Sequence, residues 1–285
     1  MIRALQQAWC SFWFRPAGPR GLLAARALLG VNALWIVLSR SDLADLAGWP
    51  PELWAGVTAA LRVRYLIPPG GAWLERAAYG VLVVSLVAAV VGVVPRLASF
   101  VAAALLYHFA PFEQILITPT GPYQGGLTLP TLGLFIVAFS PTPRGASEPS
   151  PDYRWPLQLL RLLLAFRYLF AGIAKLTLTG LHWPSAENVE ATALLLMTYE
   201  ARPPWAHWLV DQPMNASLAG IGLLAFELAF VGAVFSPAAA RIMTPLAVGL
   251  HLFFFETLGV FPLNAPLLLF FVDWDAQAWR RPRAP

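Results

Sequence analysis

Lys175 is the residue of this sequence best suited to acid–base chemistry. It is the only lysine among 19 lysine and arginine residues, and unlike arginine it can lose its proton when it leaves water. Arg161 and Tyr168 precede it at intervals of seven. On a helix these three side chains fall within about 40° of one another and form a polar stripe. We expect Lys175 to be a catalytic general base near the outer end of its helix, with snorkelling to lipid headgroups as the alternative.

Other ionisable side chains interrupt apolar segments, where their burial is unfavourable without a partner. Glu227 lies within such a segment, and we expect it to form a structural ion pair with Arg161 or Arg167. His251 is a second catalytic candidate, with a hydrogen-bonded core histidine as the alternative. The four histidines lie on separate segments without paired spacing, so we expect no metal site. The residues expected to bind a substrate are Tyr168, His108, Glu113, Trp183 and Glu256.

The elements that position these residues are predicted to be membrane helices. Apolar residues make up 58% of the 285, and charged residues only 12%, against roughly 25% in soluble domains. The apolar run at 79–94 lacks the alternation of a membrane barrel. These patterns exclude a soluble enzyme and predict an all-α, polytopic membrane bundle of seven or eight spans. The predicted spans are Leu22 to Ser39, Ala77 to Val94, Leu97 to Ile117, Gly126 to Pro141, Pro156 to Leu178, Ala216 to Phe235, Ile242 to Leu258 and Phe261 to Trp274.

The distribution of arginine predicts the orientation of these spans. The formal net charge is +4, but the arginines are scattered singly between apolar runs, which indicates topology signals and no nucleic-acid partner. Placing both termini in the cytoplasm puts ten loop arginines inside and five outside. We therefore expect one integral domain, 1–285, in the bacterial cytoplasmic membrane, in contact with membrane lipids. The amino terminus is expected to be retained, and the single Cys10 precludes an intrachain disulfide.

Several motifs resemble one membrane-protein family. The segment RYLFAGIAKLTLTGLHW, Arg167 to Trp183, resembles the Y-x-x-A-G-x-x-K-L stretch and following tryptophan of the vitamin K-dependent gamma-carboxylase membrane domain. The bacterial relatives of that enzyme are the horizontally transferred transmembrane domain (HTTM) proteins. LLAARALLGVNALWIVLSR, with Arg26 and Gly30, is similar to the first span of the family. Glu227 matches a glutamate in a later span, and HLFFFETLGVFP resembles the histidine-led segment that ends in Phe-Pro.

The resemblance implies that Lys175 is the base that deprotonates a reduced quinone such as vitamin K at the outer side of the membrane. In the carboxylase, oxygen then converts the quinol into a strong base, which removes the γ-proton of a peptide glutamate. The resulting carbanion adds carbon dioxide. A neutral lysine in a low-dielectric pocket suits the first step, because a protonated lysine does not accept the quinol proton.

Two departures from the family narrow this expectation. Residues 121–126 read GPYQGG where the carboxylase has a catalytic histidine. About 11 residues follow the last predicted span, so we expect no large luminal domain of the kind that grips the protein substrate. Carboxylation of a protein glutamate is therefore not expected. The resemblance still implies the membrane core of the family, with a pocket of the size of a quinol or a lipid.

Two functions from different classes are consistent with these residues. The first is a carboxylase-like enzyme, a lyase or oxidoreductase, that uses a quinol or another lipophilic molecule at an outward-facing site around Lys175. The second is a non-catalytic membrane partner that helps to mature or export a peptide or supports an envelope redox protein. An enzyme requires an accessible and partly neutral Lys175, whereas a structural partner is compatible with Lys175 in a salt bridge. A transporter is a third class, but it would more often show broken helices in two corresponding halves.

The arginine distribution generates a topological prediction. A reporter fused after Pro285 is expected to be cytoplasmic, and one inserted between Pro184 and Ala201 is expected to be outside. Paired alkaline phosphatase and green fluorescent protein fusions measure both positions. An external carboxyl terminus would contradict the eight-span arrangement and favour seven.

Overall fold

The computed structural model describes residues 2–39, 43–47, 71–115, 126–143, 148–197, 208, 211–258 and 264–275. Within these ranges every extended regular element is a helix, so the predicted all-α class is confirmed. The helices are α1 (Ile2–Phe14), α2 (Pro19–Ser39), α3 (Leu43–Ala47), α4 (Ala72–Val91), α5 (Pro95–Ile115), α6 (Thr128–Phe139), α7 (Arg154–Thr179), α8 (Ala186–Met197), α9 (Pro213–Ala229), α10 (Gly232–Phe235) and α11 (Pro237–Leu258). The 3-10 helices are Pro151–Tyr153, Gly180–His182 and Ala265–Phe271.

Five helical segments in the described part of the chain are long and apolar enough to cross a membrane. They correspond to the predicted spans that begin at Leu22, Ala77, Pro156, Ala216 and Ile242. The predicted total of seven or eight spans is not reached in these ranges. The five segments are Pro19–Ser39, Ala72–Val91, Pro151–His182, Pro213–Phe235 and Pro237–Glu256.

The three remaining predicted spans differ from the structure for identifiable reasons. Helix α5 has 21 residues, but Arg96, His108 and Glu113 reduce its hydropathy. Helix α6 has only 12 residues, which extend for about 18 Å against a hydrocarbon core of about 30 Å. The last predicted span contains the seven-residue 3-10 helix Ala265–Phe271. Residues 116–117 and 261–263 of these predicted spans lie outside the described part.

The connection between α4 and α5 is a tight turn that its sequence specifies. Gly92 ends α4 with φ 86°, a left-handed conformation that glycine adopts without steric cost. Its N–H donates to the carbonyl of Ala88 at 2.9 Å. Pro95 then begins α5, where its fixed φ suits the first helical position and its missing N–H is not needed. The two helices are therefore adjacent and antiparallel.

The contacts divide the chain into two compact units, which comprise 1–160 with 272–285 and 161–271. In the first unit, α2 packs against α4 and α6, and α5 packs against the same two helices. These four helices enclose a core. Residues at intervals of three and four along α2 are buried there, as expected for a helix with one covered face. The buried members of α2 are Leu22, Ala25, Arg26, Leu29, Ala33, Ile36 and Val37, among others.

The beginning of α2 is attached to the carboxyl-terminal part of the first unit. The backbone N–H of Arg20 donates to Asp275 Oδ1 at 3.3 Å, so the carboxylate satisfies one of the free N–H groups at this helix end. Gly18 lies directly against the same carboxylate, and a β-carbon at this position would overlap with it. Burial raises the pKa of the Asp275 carboxyl, and the hydrogen bond from Arg20 offsets part of this shift.

In the second unit, α9 packs against α8, and α11 packs against α8, α10 and the Ala265–Phe271 segment. The outer surface of α11 is apolar and uncovered by protein, with Leu252 at 55% and Leu246 at 54% exposure. In a soluble protein such a continuous apolar face would be unfavourable, whereas lipid tails solvate it. The membrane assignment of α11 therefore has structural support.

The contact between α8 and α9 depends on Gly220. A β-carbon at Gly220 would lie 2.9 Å from the Cα of Pro184 and 2.8 Å from Val189 Cγ2. The backbone of Pro184 cannot move away as a flexible side chain would. Gly222, on the same helix, faces open space, and a β-carbon added there would meet no neighbouring group within 4 Å.

These two glycines give a matched test of the packing. We expect Gly220→Ala to lower the free energy of unfolding by about 1–3 kcal/mol, because the added methyl forces α8 and α9 apart. Gly222→Ala should be neutral or slightly stabilising, since alanine is the better helix former. Thermal unfolding of both variants in one detergent measures the difference. Equal melting temperatures for the two variants would contradict this packing.

Candidate functional site

The predicted polar stripe of α7 faces protein partners within the second unit. Arg161, Tyr168 and Lys175 each form a polar contact there, so the inward orientation derived from their spacing is confirmed. Arg161 Nε donates to the backbone carbonyl of Phe270 at 2.8 Å, and its guanidinium carbon lies 5.9 Å from the ring centroid of Phe271. Arg161 therefore attaches α7 to the segment Ala265–Phe271.

Lys175 and Glu227 form the central ion pair of this unit. Lys175 Nζ donates to Glu227 Oε1 at 2.6 Å, and the two side chains are 20% and 8% exposed. Arg161 and Arg167 were the expected partners of Glu227, and the structure places Lys175 there. The second oxygen, Oε2 of Glu227, is buried without a hydrogen-bond partner in the described part of the chain. The pair therefore retains one free acceptor.

A glycine on α7 brings the backbones close enough for this pair to form. Gly172 lies one turn before Lys175 and is buried. A β-carbon at Gly172 would lie 3.2 Å from the Cβ of Glu227 and 3.0 Å from Leu228 Cδ2. Because glycine leaves this space open, α9 approaches α7 closely beside the ion pair. The A-G-x-x-K spacing thus has a direct geometric role.

Trp183 covers Lys175 from the end of the helix. The ammonium nitrogen lies 4.8 Å from the centroid of the Trp183 ring, which is within the range of a cation–π contact. Gly180 turns the chain after α7 with φ 62°, again a left-handed conformation. Asn188 Nδ2 then donates to the carbonyl of Trp183 at 2.8 Å and fixes the turn. Trp183, which we expected at a substrate site, is therefore adjacent to Lys175.

Tyr168 and His251 form a second polar pair on the same stripe. The hydroxyl of Tyr168 and Nε2 of His251 are 2.7 Å apart, with the donor set by the histidine tautomer. The Tyr168 ring packs 4.5 Å from the centroid of Phe230 and 5.5 Å from that of Phe226. Tyr168 precedes Lys175 by two helical turns, about 10 Å along the axis. The Tyr168–His251 pair and the Lys175–Glu227 pair therefore lie about two helical turns apart along α7.

A polar depression of about 280 Å³ lies beyond the carboxyl end of α7. Thr179 contributes to its wall and also donates from Oγ1 to the carbonyl of Lys175 at 2.9 Å. The Lys175 side chain itself is not part of the wall. The lining residues are Thr179, His182, Ser185, Glu187, Asn188 and Ala191.

The other expected site residues lie elsewhere. His108 belongs to the first unit, where its Nε2 lies 2.8 Å from Glu75 Oε2 and both side chains are fully buried. Glu75 was not predicted as a site residue, because the second span was predicted from Ala77 while α4 begins at Ala72. The signal was present, since Glu75 continues the buried three- and four-residue spacing of α4. Glu256 is exposed on α11, and the Glu113 side chain lies outside the described part.

Comparison of the chain with protein families, with curated proteins and with solved structures finds no match. Among the described residues, no three histidine, cysteine, aspartate or glutamate side chains gather as a metal site would require. The geometry around Lys175 and Glu227 is therefore the main evidence for a function.

Removal of one partner of the central pair is expected to destabilise the protein more than removal of both. Glu227→Ala leaves a cation in an apolar setting and should cost about 3–5 kcal/mol of unfolding free energy. The double variant Lys175→Met with Glu227→Leu should cost less, because no charge remains unpaired. Thermal unfolding in detergent measures all variants.

Glu256→Ala serves as the control, because this glutamate is exposed on α11. Its effect should stay within about 0.5 kcal/mol. A Glu227→Ala protein with unchanged yield and melting temperature would show that the pair contributes nothing to stability.

Proposed function

We propose that this protein is a carboxylase-like membrane enzyme in which Lys175 and Glu227 accept a proton from a lipophilic, weakly acidic molecule such as a reduced quinone. The observation that carries the proposal is the 2.6 Å contact between Lys175 Nζ and Glu227 Oε1, together with the unpartnered Oε2. The proposal requires the side chains around this buried oxygen to move apart, so that Oε2 accepts a hydrogen bond from a substrate hydroxyl next to the base.

The ion pair supplies a base without burying a net charge. Transfer of one proton from Lys175 to Glu227 along their hydrogen bond gives a neutral amine and a neutral carboxyl. The neutral amine then accepts the substrate proton, and the pair gains one positive charge as the substrate becomes an oxyanion. In a low-dielectric site these opposite charges attract strongly. Arginine in place of Lys175 would not release its proton.

The surroundings of the pair suit an aromatic ligand. Trp183 offers a flat apolar face beside Lys175, and quinone rings stack on such surfaces. Tyr168 and His251 form a further couple that can donate and accept protons. These features support a reduced quinone as cofactor and agree with the sequence resemblance to the membrane domain of vitamin K-dependent gamma-carboxylase and HTTM proteins.

The proposal retains seven or eight membrane crossings with both termini in the cytoplasm. Helix α5 packs against α4, which is itself long and apolar enough to span. Burial of the polar His108 against Glu75 removes two of the groups that reduce the hydropathy of this region from contact with lipid. Lys175 then lies near the outer side of the bacterial inner membrane.

A second candidate function is that of a non-catalytic membrane partner for a peptide or an envelope redox protein. The observation that favours it is the same ion pair, because a lysine held by a buried carboxylate is a common structural arrangement. The polar depression beside Thr179 lacks the Lys175 side chain and could hold a peptide segment. In this case Lys175 contributes charge alone.

Lys175→Arg distinguishes the two functions. An arginine keeps the cation for Glu227 and the contact with Trp183, so we expect normal insertion and folding. Because arginine does not release its proton, it cannot act as a general base, and the activity should fall by about 10²–10⁴-fold. Complementation of a deletion strain measures this before the substrate is known.

The control replaces an exposed arginine with lysine. Arg241→Lys, at an exposed position near the beginning of α11, should complement fully. Full complementation by Lys175→Arg would refute the general base and favour the non-catalytic partner.

A further inference from the structure

Helix α1 has an apolar face that remains exposed in the described part of the chain. None of its 13 residues is buried, and Ile2, Leu5 and Trp9 are between 63% and 79% exposed. At 100° per residue these three side chains fall within about 60° of one another, on one face of the helix. The ring of Trp13 lies edge-on to that of Trp9, with the centroids 5.6 Å apart, and extends this face. A continuous exposed face of this kind indicates contact with another apolar surface.

The opposite face of α1 is polar. By helical spacing Arg3, Gln7 and Ser11 fall there, within about 80° of one another. A helix with aromatic and aliphatic side chains on one face and polar ones on the other is typical of helices that lie between lipid tails and water. The 13 residues of α1 extend for about 20 Å, which is too short to cross a hydrocarbon core of about 30 Å. Helix α1 is therefore suited to lie along a membrane surface.

The position of α1 in the chain brings this face to a membrane. Helix α1 ends at Phe14, and α2, which is long and apolar enough to span, begins at Pro19. The chain from Phe14 to Pro19 reaches at most about 18 Å. Between the two helices, Ala17 exchanges backbone hydrogen bonds of 3.1 and 3.0 Å with Ser150, which fixes the connection. The carboxyl end of α1 is therefore held near the membrane surface at which α2 begins.

The charges around α1 are complementary to an anionic lipid surface. Residues 1–20 contain three arginines, Arg3, Arg15 and Arg20, and no aspartate or glutamate. Arg3 and Arg15 are exposed at the two ends of α1. A guanidinium binds phosphate oxygens with its planar fork, and cationic segments beside a membrane span are attracted to anionic headgroups. The charges and the apolar face thus favour the same partner.

We propose that α1 binds the surface of the membrane that α2 crosses, with the face of Ile2, Leu5 and Trp9 against lipid tails and with Arg3 and Arg15 on anionic phospholipid headgroups. Burial of the apolar face in the interface and attraction of the arginines to the headgroups both stabilise this position. Tryptophan is enriched at the level of the headgroups in membrane proteins, which agrees with the place of Trp9 on this face.

The single cysteine of the chain allows a direct measurement. Cys10 is exposed on α1, directly after Trp9, and a nitrobenzoxadiazole fluorophore attached to it reports the polarity around the helix. The full chain is labelled and reconstituted in vesicles that contain equal amounts of phosphatidylcholine and phosphatidylglycerol. We expect the emission to be blue-shifted and the label to be protected from acrylamide, a neutral quencher dissolved in the water.

Two glutamate substitutions on opposite faces of α1 form a matched pair. Leu5→Glu places a carboxylate on the apolar face and should release the helix, which shifts the emission to the red and raises acrylamide quenching by about twofold or more. Gln7→Glu adds the same charge on the polar face and should leave both quantities unchanged. Both positions are exposed, so both variants should melt in detergent at the temperature of the unchanged protein.

Lipid composition tests the contacts of the arginines. Vesicles of phosphatidylcholine alone, or the double variant Arg3→Gln with Arg15→Gln, should raise the quenching towards that of Leu5→Glu. Equal quenching of the unchanged, Leu5→Glu and Gln7→Glu proteins would overturn the proposal. Protection that disappears when the protein is diluted with lipid would also overturn it, because a second copy of the chain would then cover the face.

Discussion

Ionisable groups inside an apolar bundle need partners within the protein, and this constraint determines how the helices of each unit meet. In the second unit, Lys175 on α7 reaches Glu227 on α9 at 2.6 Å, and the space left open by Gly172 permits that approach. In the first unit, Glu75 on α4 and His108 on α5 satisfy each other in a fully buried contact. Apolar packing against lipid is nearly indifferent to rotation of a helix, whereas a misplaced buried charge is costly. The polar pairs therefore define which faces of the helices are internal.

The sequence predicted the features that arise from composition and helical spacing. Five spans coincide with long apolar helices, and the spacing of seven placed Arg161, Tyr168 and Lys175 on one inward face. The partner of Glu227 was not predictable in this way. Whether Arg161, Arg167 or Lys175 reaches Glu227 depends on the position of α7 along its axis relative to α9, and on the small volume at Gly172. The spacing of residues within one segment determines neither the relative position of two helices nor the volume between them.

Segments with mixed composition were the least predictable. Glu75 was left out of the second predicted span, which began at Ala77, although it lies within α4 and its contact with His108 is fully buried. Helix α6 is the second example, because a crossing was predicted over 126–141 while the helix within this range has 12 residues. Hydropathy alone therefore does not give the length of a helix. Length depends on the turns that flank a helix, as Gly92 and Pro95 show between α4 and α5.

The choice of lysine at position 175 has a consequence that charge alone does not explain. An arginine facing a carboxylate normally binds both oxygens with its planar fork, which would engage Oε1 and Oε2 of Glu227 together. Lysine donates from a single point and contacts Oε1, while Oε2 remains buried without a partner among the described residues. A purely structural pair would gain stability from the second hydrogen bond, because an unsatisfied buried oxygen costs about 1–3 kcal/mol. In the proposed function this second oxygen is the hydrogen-bond acceptor for a substrate hydroxyl, and an arginine at position 175 would occupy it.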